Sequence, residues 1–167
     1  MNKNVLWATI FSLLAGLLQS SLLARLAIYQ AVPDIALGIV VYTAYTNGIM
    51  SGQLTGFFSG LALDFLSAAP MGLNAFIRTM VGAAAGLLNG TFFMDSFLLP
   101  MALCAGATLG KALFLLLLNL IFSERVRCYS IYEPLLWVEL AMNTLLAPLL
   151  FGLLRLFNPL LINRRDT

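Results

Sequence analysis

Histidine is absent from this chain, and charge is scarce: nine Lys and Arg and seven Asp and Glu among 167 residues. Without histidine, a His-based catalytic triad, a His-ligated zinc site and a histidine proton relay are all excluded. Only two cysteines are present, Cys104 inside an apolar run and Cys128 in a polar segment. They are too few and too differently placed for a disulfide framework or a cysteine metal cluster. Net charge is +2 and no basic run exceeds Arg164-Arg165, so the chain has no electrostatic footprint for nucleic acid. Charged residues make up 10% of the sequence, against roughly 25% in soluble globular chains. So few charges cannot wet the surface of a protein this size.

What the chain has in excess is apolar sequence, 61% of its residues, with a mean hydropathy of +0.96. Those side chains must face lipid as well as each other. The composition is that of an integral membrane protein, read here as one membrane domain over residues 1–167.

A membrane helix needs about 20 apolar residues to cross a hydrocarbon core of roughly 30 Å. Apolar runs predict helices over residues 5–24, 33–46, 48–66, 71–90, 97–122 and 135–157. The second, at about 14 residues and 1.5 Å per residue, reaches only ~21 Å and crosses only where the bilayer is thin. The expected fold class is therefore an all-α polytopic membrane protein, a compact bundle of about six transmembrane helices, or five if the short run is left out. The N-terminus, Met1-Asn2-Lys3-Asn4 before an apolar stretch, imitates a secretory signal. No small-x-small cleavage site precedes the return of apolar sequence at Leu22-Leu23, so it reads as a retained first helix.

Six spans place both termini on one side of the membrane. Lys3, Arg155, Arg164 and Arg165 then face the cytoplasm, against Arg25, Arg125 and Arg127 outside. That excess, small as it is, favours cytoplasmic N- and C-termini. The longest polar loop, residues 123–133, falls outside with Glu133, and Tyr129, Tyr132 and Trp137 read as interfacial anchors.

A spacing of four is the most informative pattern. Gly48, Gly52, Gly56 and Gly60 lead to Asp64, and the next run repeats the period as Asn74, Arg78, Gly82, Gly86 and Gly90. The first helix carries Ala8, Ser12, Gly16, Ser20 and Ala24, and the fifth carries Ala102, Gly106 and Gly110. Small residues at this spacing let helix backbones approach closely in lipid, where packing replaces the hydrophobic drive. Folding the third and fourth runs together about Pro70 brings Asp64 and Arg78 to similar depth, each continuing a glycine stripe. A charge facing lipid costs at least about 2.5–3.5 kcal/mol. The expectation is an intramembrane pair of Asp64 and Arg78, joined by Asn74. Lys111, near the middle of the fifth run, either snorkels or meets Glu139 on the sixth. Pro33-Asp34 reads as a helix start, with proline at the first position and a carboxylate near the positive end of the helix dipole.

These residues carry a resemblance. Pro33-Asp34 opening a short apolar run, then Gly48, Gly52, Gly56-Phe57 and Gly60-Leu61-Ala62-Leu63-Asp64, then Pro70-Met71-Gly72-Leu73-Asn74, Gly82 and Gly86, resembles the bacterial rod shape-determining protein MreD family. Length and span pattern agree over nearly the whole chain, and the specific motifs lie within residues 33–90. The resemblance implies a non-enzymatic subunit of the bacterial inner membrane, without cofactor or metal, in the elongation (rod) complex for lateral peptidoglycan synthesis. The implied partners are the bitopic protein MreC and, through the assembly, MreB, RodA and a class B penicillin-binding protein. A second copy of the chain is a further candidate partner.

The same architecture is similar to the substrate-binding S-components of energy-coupling-factor vitamin transporters, which supplies the alternative function. There, Asp34, Asp64, Arg78, Glu139 and Asn143 would line a small-molecule pocket. An aspartyl-type intramembrane peptidase built on Asp34 and Asp64 fits poorly. A carboxylate held beside a fixed arginine is stabilised in its charged form, whereas a general acid has to hold a proton. A Ser–Lys dyad on Lys111 finds no serine within one turn of its own helix.

Overall fold

The structure, a computed structural model, describes residues 3–21, 31–67, 70–91, 97–122 and 134–162. The loop 123–133 with Cys128, Tyr129, Tyr132 and Glu133, and also Ala24, Arg25, Arg164 and Arg165, lie outside the described residues. Seven helices form among the described residues: α1 (Lys3–Ser21), α2 (Ile35–Asn47), α3 (Ile49–Leu66), α4 (Leu73–Leu87), α5 (Leu98–Ile121), α6 (Pro134–Leu156) and α7 (Asn158–Leu161). The first six coincide with the apolar runs. The single turn of α7 is not marked by any apolar period, and Pro159 near its start fits the fixed φ of a first helical turn.

Helix length sorts the elements. At 24 and 23 residues, α5 and α6 extend ~36 and ~34 Å, past the ~30 Å of a hydrocarbon core. These two are long and apolar enough to cross a membrane. Their outer faces present Leu120, Leu145, Leu149 and Leu156, each more than two-thirds exposed. A leucine surface of that extent belongs against lipid.

The short helix α2 is the centre of the bundle. Every residue from Ala36 to Tyr45 is buried, as a helix apolar on all sides requires. Around it pack α1, α3, α4, α5 and α6. Ser12 of α1 donates a hydrogen bond to the Ala36 carbonyl at 3.2 Å. Tyr42 donates to Asn158 of α7, and Asn47 Nδ2 donates to the Leu161 carbonyl at 2.8 Å, closing the C-terminal end of α2. With its sides covered, α2 needs no length to reach lipid.

Between α3 and α4 the four-residue stripe does what the spacing predicts. A Cβ added at Gly52 would meet the Gly82 carbonyl, one at Gly56 the Arg78 carbonyl, and one at Gly60 the Ala75 Cα at 2.5 Å. A Cβ at Gly86 would come to 2.5 Å from the Ile49 Cα. The two backbones touch, and only hydrogen fits between them.

Two members of the stripe play another part, which corrects the expectation. Gly48 is the one-residue corner from α2 to α3, with φ +84°, and Gly90 lies beyond the end of α4 with φ +71°. A Cβ at either meets nothing within 4 Å. Glycine is required at these positions by the backbone. The fifth-run stripe is also not a close contact: Gly106 faces open space and Gly110 only the Val81 side chain at 3.8 Å.

Candidate functional site: a buried charge hub at the start of α2

The first turn of α2 gathers charge from three other helices. Asp34 caps the helix, its Oδ1 accepting from the Leu37 N–H at 3.0 Å, so the carboxylate sits on the positive end of the α2 dipole. Arg78 of α4 donates from Nη2 to the same oxygen at 2.6 Å. Lys111 of α5 donates from Nζ to Asp34 Oδ2 at 3.1 Å and to Glu139 Oε1 of α6 at 2.7 Å. Arg78, Asp34, Lys111 and Glu139 thus alternate in sign along one chain of ion pairs. Asp34, Arg78 and Glu139 are buried, and Lys111 is about one-fifth exposed.

Neutral polar groups complete the hub. The Asp34 N–H donates to Asn143 Oδ1 at 2.7 Å, and Asn143 Nδ2 donates to Thr108 Oγ1 at 2.9 Å. Thr108 in turn donates to the Cys104 carbonyl one turn back, at 2.9 Å. Arg78 Nη1 is buried with no hydrogen-bond partner among the described residues, but every charge of the hub stands beside one of opposite sign. That is the condition under which buried ions are tolerated.

The expected pairing of Asp64 with Arg78 is corrected by this geometry. Asp64, at the end of α3, accepts from the Gly72, Asn74 and Ala75 N–H groups at 2.9, 3.0 and 3.2 Å and from Asn74 Nδ2 at 2.9 Å. Both of its oxygens are taken by the N-terminus of α4, where unpaired amides and the helix dipole favour an anion. Arg78 lies further along α4 and turns to Asp34. Gly72, with φ +90°, supplies the left-handed corner that aims these amides at the carboxylate. The sequence grouping of Asp64 with Asn74 corresponds to a contact, and so does that of Lys111 with Glu139. Asp34, read from sequence as a capping residue, is the centre of the hub.

The chemistry available here is narrow. Lys111 is an ammonium held by two carboxylates, unlike the desolvated, unpaired amine of a lysine base. No group of three or more His, Cys, Asp and Glu side chains that could hold a metal ion occurs among the described residues. A cavity of about 440 Å³ beside the hub is apolar apart from Asp34, Thr108 and Asn143. What the arrangement does is fasten α2, α4, α5 and α6 to one point.

Comparison with known proteins agrees with the motif reading. The family model described as rod shape-determining protein MreD matches residues 1–157. No curated protein and no solved structure matches the chain. The match spans all six of the longer helices and includes every residue of the hub. The chain belongs to the MreD family of rod shape-determining membrane proteins.

Proposed function

We propose that this chain is a non-enzymatic scaffold of the elongation complex in the bacterial inner membrane, binding an MreC-like bitopic protein and helping to organise lateral peptidoglycan synthesis. The observation that carries this reading is the hub. Arg78, Asp34, Lys111 and Glu139 are spent on one another, which suits a rigid platform more than a site that must release its contacts to take a polar ligand. A vitamin-binding subunit needs a cavity with polar groups turned toward the ligand. Apart from Arg78 Nη1, which is buried without a hydrogen-bond partner among the described residues, the charged groups here are turned toward each other.

Under this reading the six longer helices each cross the membrane, with both termini cytoplasmic. The short α2 crosses in the shelter of its neighbours. MreB, RodA and a class B penicillin-binding protein are then reached indirectly, through the bitopic partner.

The test is affinity purification of the tagged chain from its native membrane, combined with depletion in growing rod-shaped cells. Recovery of a bitopic periplasmic coiled-coil protein with cell-wall synthases, and rounding of depleted cells, support the scaffold. Recovery of an ATPase-coupled module or a bound vitamin overturns it, and so does unchanged cell shape on depletion.

A further inference from the structure

Threonine hydroxyls inside these helices follow one rule. Thr9, Thr43, Thr46, Thr79, Thr108 and Thr144 each donate to the carbonyl four residues back, at distances between 2.6 and 2.9 Å. Thr55 of α3 is the exception. It is 0% exposed, and its Oγ1 has no hydrogen-bond partner among the described residues. The Ser51 carbonyl is the acceptor one turn back, and the Thr55 hydroxyl does not take it. Asn4 of α1 is in the same condition: it is 2% exposed, with neither Nδ2 nor Oδ1 bonded. Such groups are costly to bury unpaired, most of all inside a membrane.

Both belong to one seam. Phe11 of α1 meets Phe157 at a centroid distance of 5.2 Å, just before α7, which is bonded to the end of α2 and so lies near the start of α3. Gly16 lies against Leu63, near the end of α3, where a Cβ would stand 3.4 Å from the Leu63 side chain. The two helices therefore run parallel. Counting back by turns from that contact sets Ser12 beside Ser59, Ala8 beside Thr55 and Asn4 beside Ser51. All six are buried. Thr55 thus stands one turn, about 5.4 Å, beyond Asn4 along the seam. Two hydrogen bonds of about 2.8 Å laid end to end span the same distance. The residues opposite the two, Ala8 and Ser51, are small and leave room between them.

The three atoms select their ligand. An amide offers a donor and an acceptor, and a hydroxyl offers both. A cation takes the oxygens and leaves Nδ2 bare, and an anion takes the donors and leaves Oδ1 bare. Nor does either helix supply a charge to balance an ion, since α1 has none after Lys3 and α3 none before Asp64. Water serves all three atoms, accepting from Thr55 Oγ1 and Asn4 Nδ2 and donating to Asn4 Oδ1. Three hydrogen bonds are the usual complement of a buried water.

We propose that one water molecule is bound between Asn4 and Thr55 in the seam of α1 and α3. It joins the first helix to the glycine-packed pair of α3 and α4.

The full chain, isotope-labelled and reconstituted in phospholipid vesicles, is read by solid-state NMR with magnetisation transferred from water protons. Water cross-peaks are expected at the Thr55 methyl and at Asn4 Nδ2. None is expected at Thr43, which is equally buried but bonded to its own helix. Thr55→Val keeps the shape, removes the hydroxyl and abolishes the water signal at Asn4, while Thr55→Ser retains it. In detergent, Thr55→Val lowers the folded-to-unfolded ratio about tenfold. A folded wild-type chain without the Thr55 cross-peak overturns the proposal, and so does an equal cross-peak at Thr43, the mark of general wetting. An Asn4 signal unchanged in Thr55→Val also overturns it, as does a Thr55→Val chain as stable as wild type, the behaviour of a hydroxyl with no partner to lose. Should Thr55→Val fail to fold, the spectra of the wild type and of Thr55→Ser decide.

Discussion

Arg78 Nη2 lies 2.6 Å from Asp34 Oδ1, joining α4 to the first turn of α2 inside the bundle, with both side chains less than one-tenth exposed. Removing one partner of such a pair leaves the other buried without compensation, which costs about 3–5 kcal/mol. Asp34→Asn and Arg78→Gln should each lower stability on that scale, read as the midpoint of unfolding in detergent. The double variant should lose less than the sum, with a coupling of up to about 3 kcal/mol. Asp64→Asn combined with Arg78→Gln should show a smaller coupling, because Asp64 is bonded to the start of α4. Equal coupling in the two cycles would contradict the assignment.

Lys111 bridges Asp34 and Glu139, and while Asp34 keeps Arg78, Glu139 loses a cation when Lys111 is removed. Lys111→Met should be more destabilising than Lys111→Met with Glu139→Gln, because the second change removes a buried carboxylate whose Lys111 ion pair the first has taken away. Thermal unfolding of the two proteins side by side provides the measurement. A double variant weaker than the single would show that Glu139 is held by some other group.

Asp64 fastens the start of α4 with four hydrogen bonds. Hydrogen bonds to a charged acceptor contribute about 1.5–3 kcal/mol, and loss of a helix cap alone costs about 0.5–2 kcal/mol. Asp64→Ala should therefore cost roughly 2–3 kcal/mol and speed amide hydrogen exchange at Gly72, Asn74 and Ala75. Exchange at Leu37, in the cap of α2, should stay as it is. A uniform rise at both places would mean that Asp64 supports the whole bundle and not the α3–α4 corner.

Much of this architecture is legible in the sequence, for physical reasons that also mark where reading stops. Apolar runs place the helices because lipid contact demands length, and α5 and α6 announce themselves plainly. The glycine period of α3 and α4 shows which faces meet, since these helices are neighbours in the chain and their bend fixes the register. The partner of Arg78 is not legible. Depth relative to the bend selects Asp64, but the amides at the α4 N-terminus compete for that carboxylate at shorter range. Asp34 comes from a helix that periodicity cannot orient, because α2 is apolar on every side and offers no face to read. The period also runs on past helix ends, which is why Gly48 and Gly90 look like packing positions while their positive φ places them in a corner and a turn.

Two glycines of the same spacing test that distinction between close contact and open space. At Gly56 a Cβ would press on the Arg78 carbonyl, and the atom it meets is backbone, which cannot swing aside. Gly56→Ala must push α3 from α4 and so loosen Arg78 from Asp34, a loss of at least about 1–3 kcal/mol for overpacking. At Gly106 a Cβ meets nothing within 4 Å, and alanine is the better helix former by about 0.8–1.0 kcal/mol. Gly106→Ala should therefore unfold at or above the wild-type midpoint. If Gly106→Ala were as damaging as Gly56→Ala, the α5 stripe would have to be covered by another helix in the membrane, and its open face here would be the surface a partner occupies.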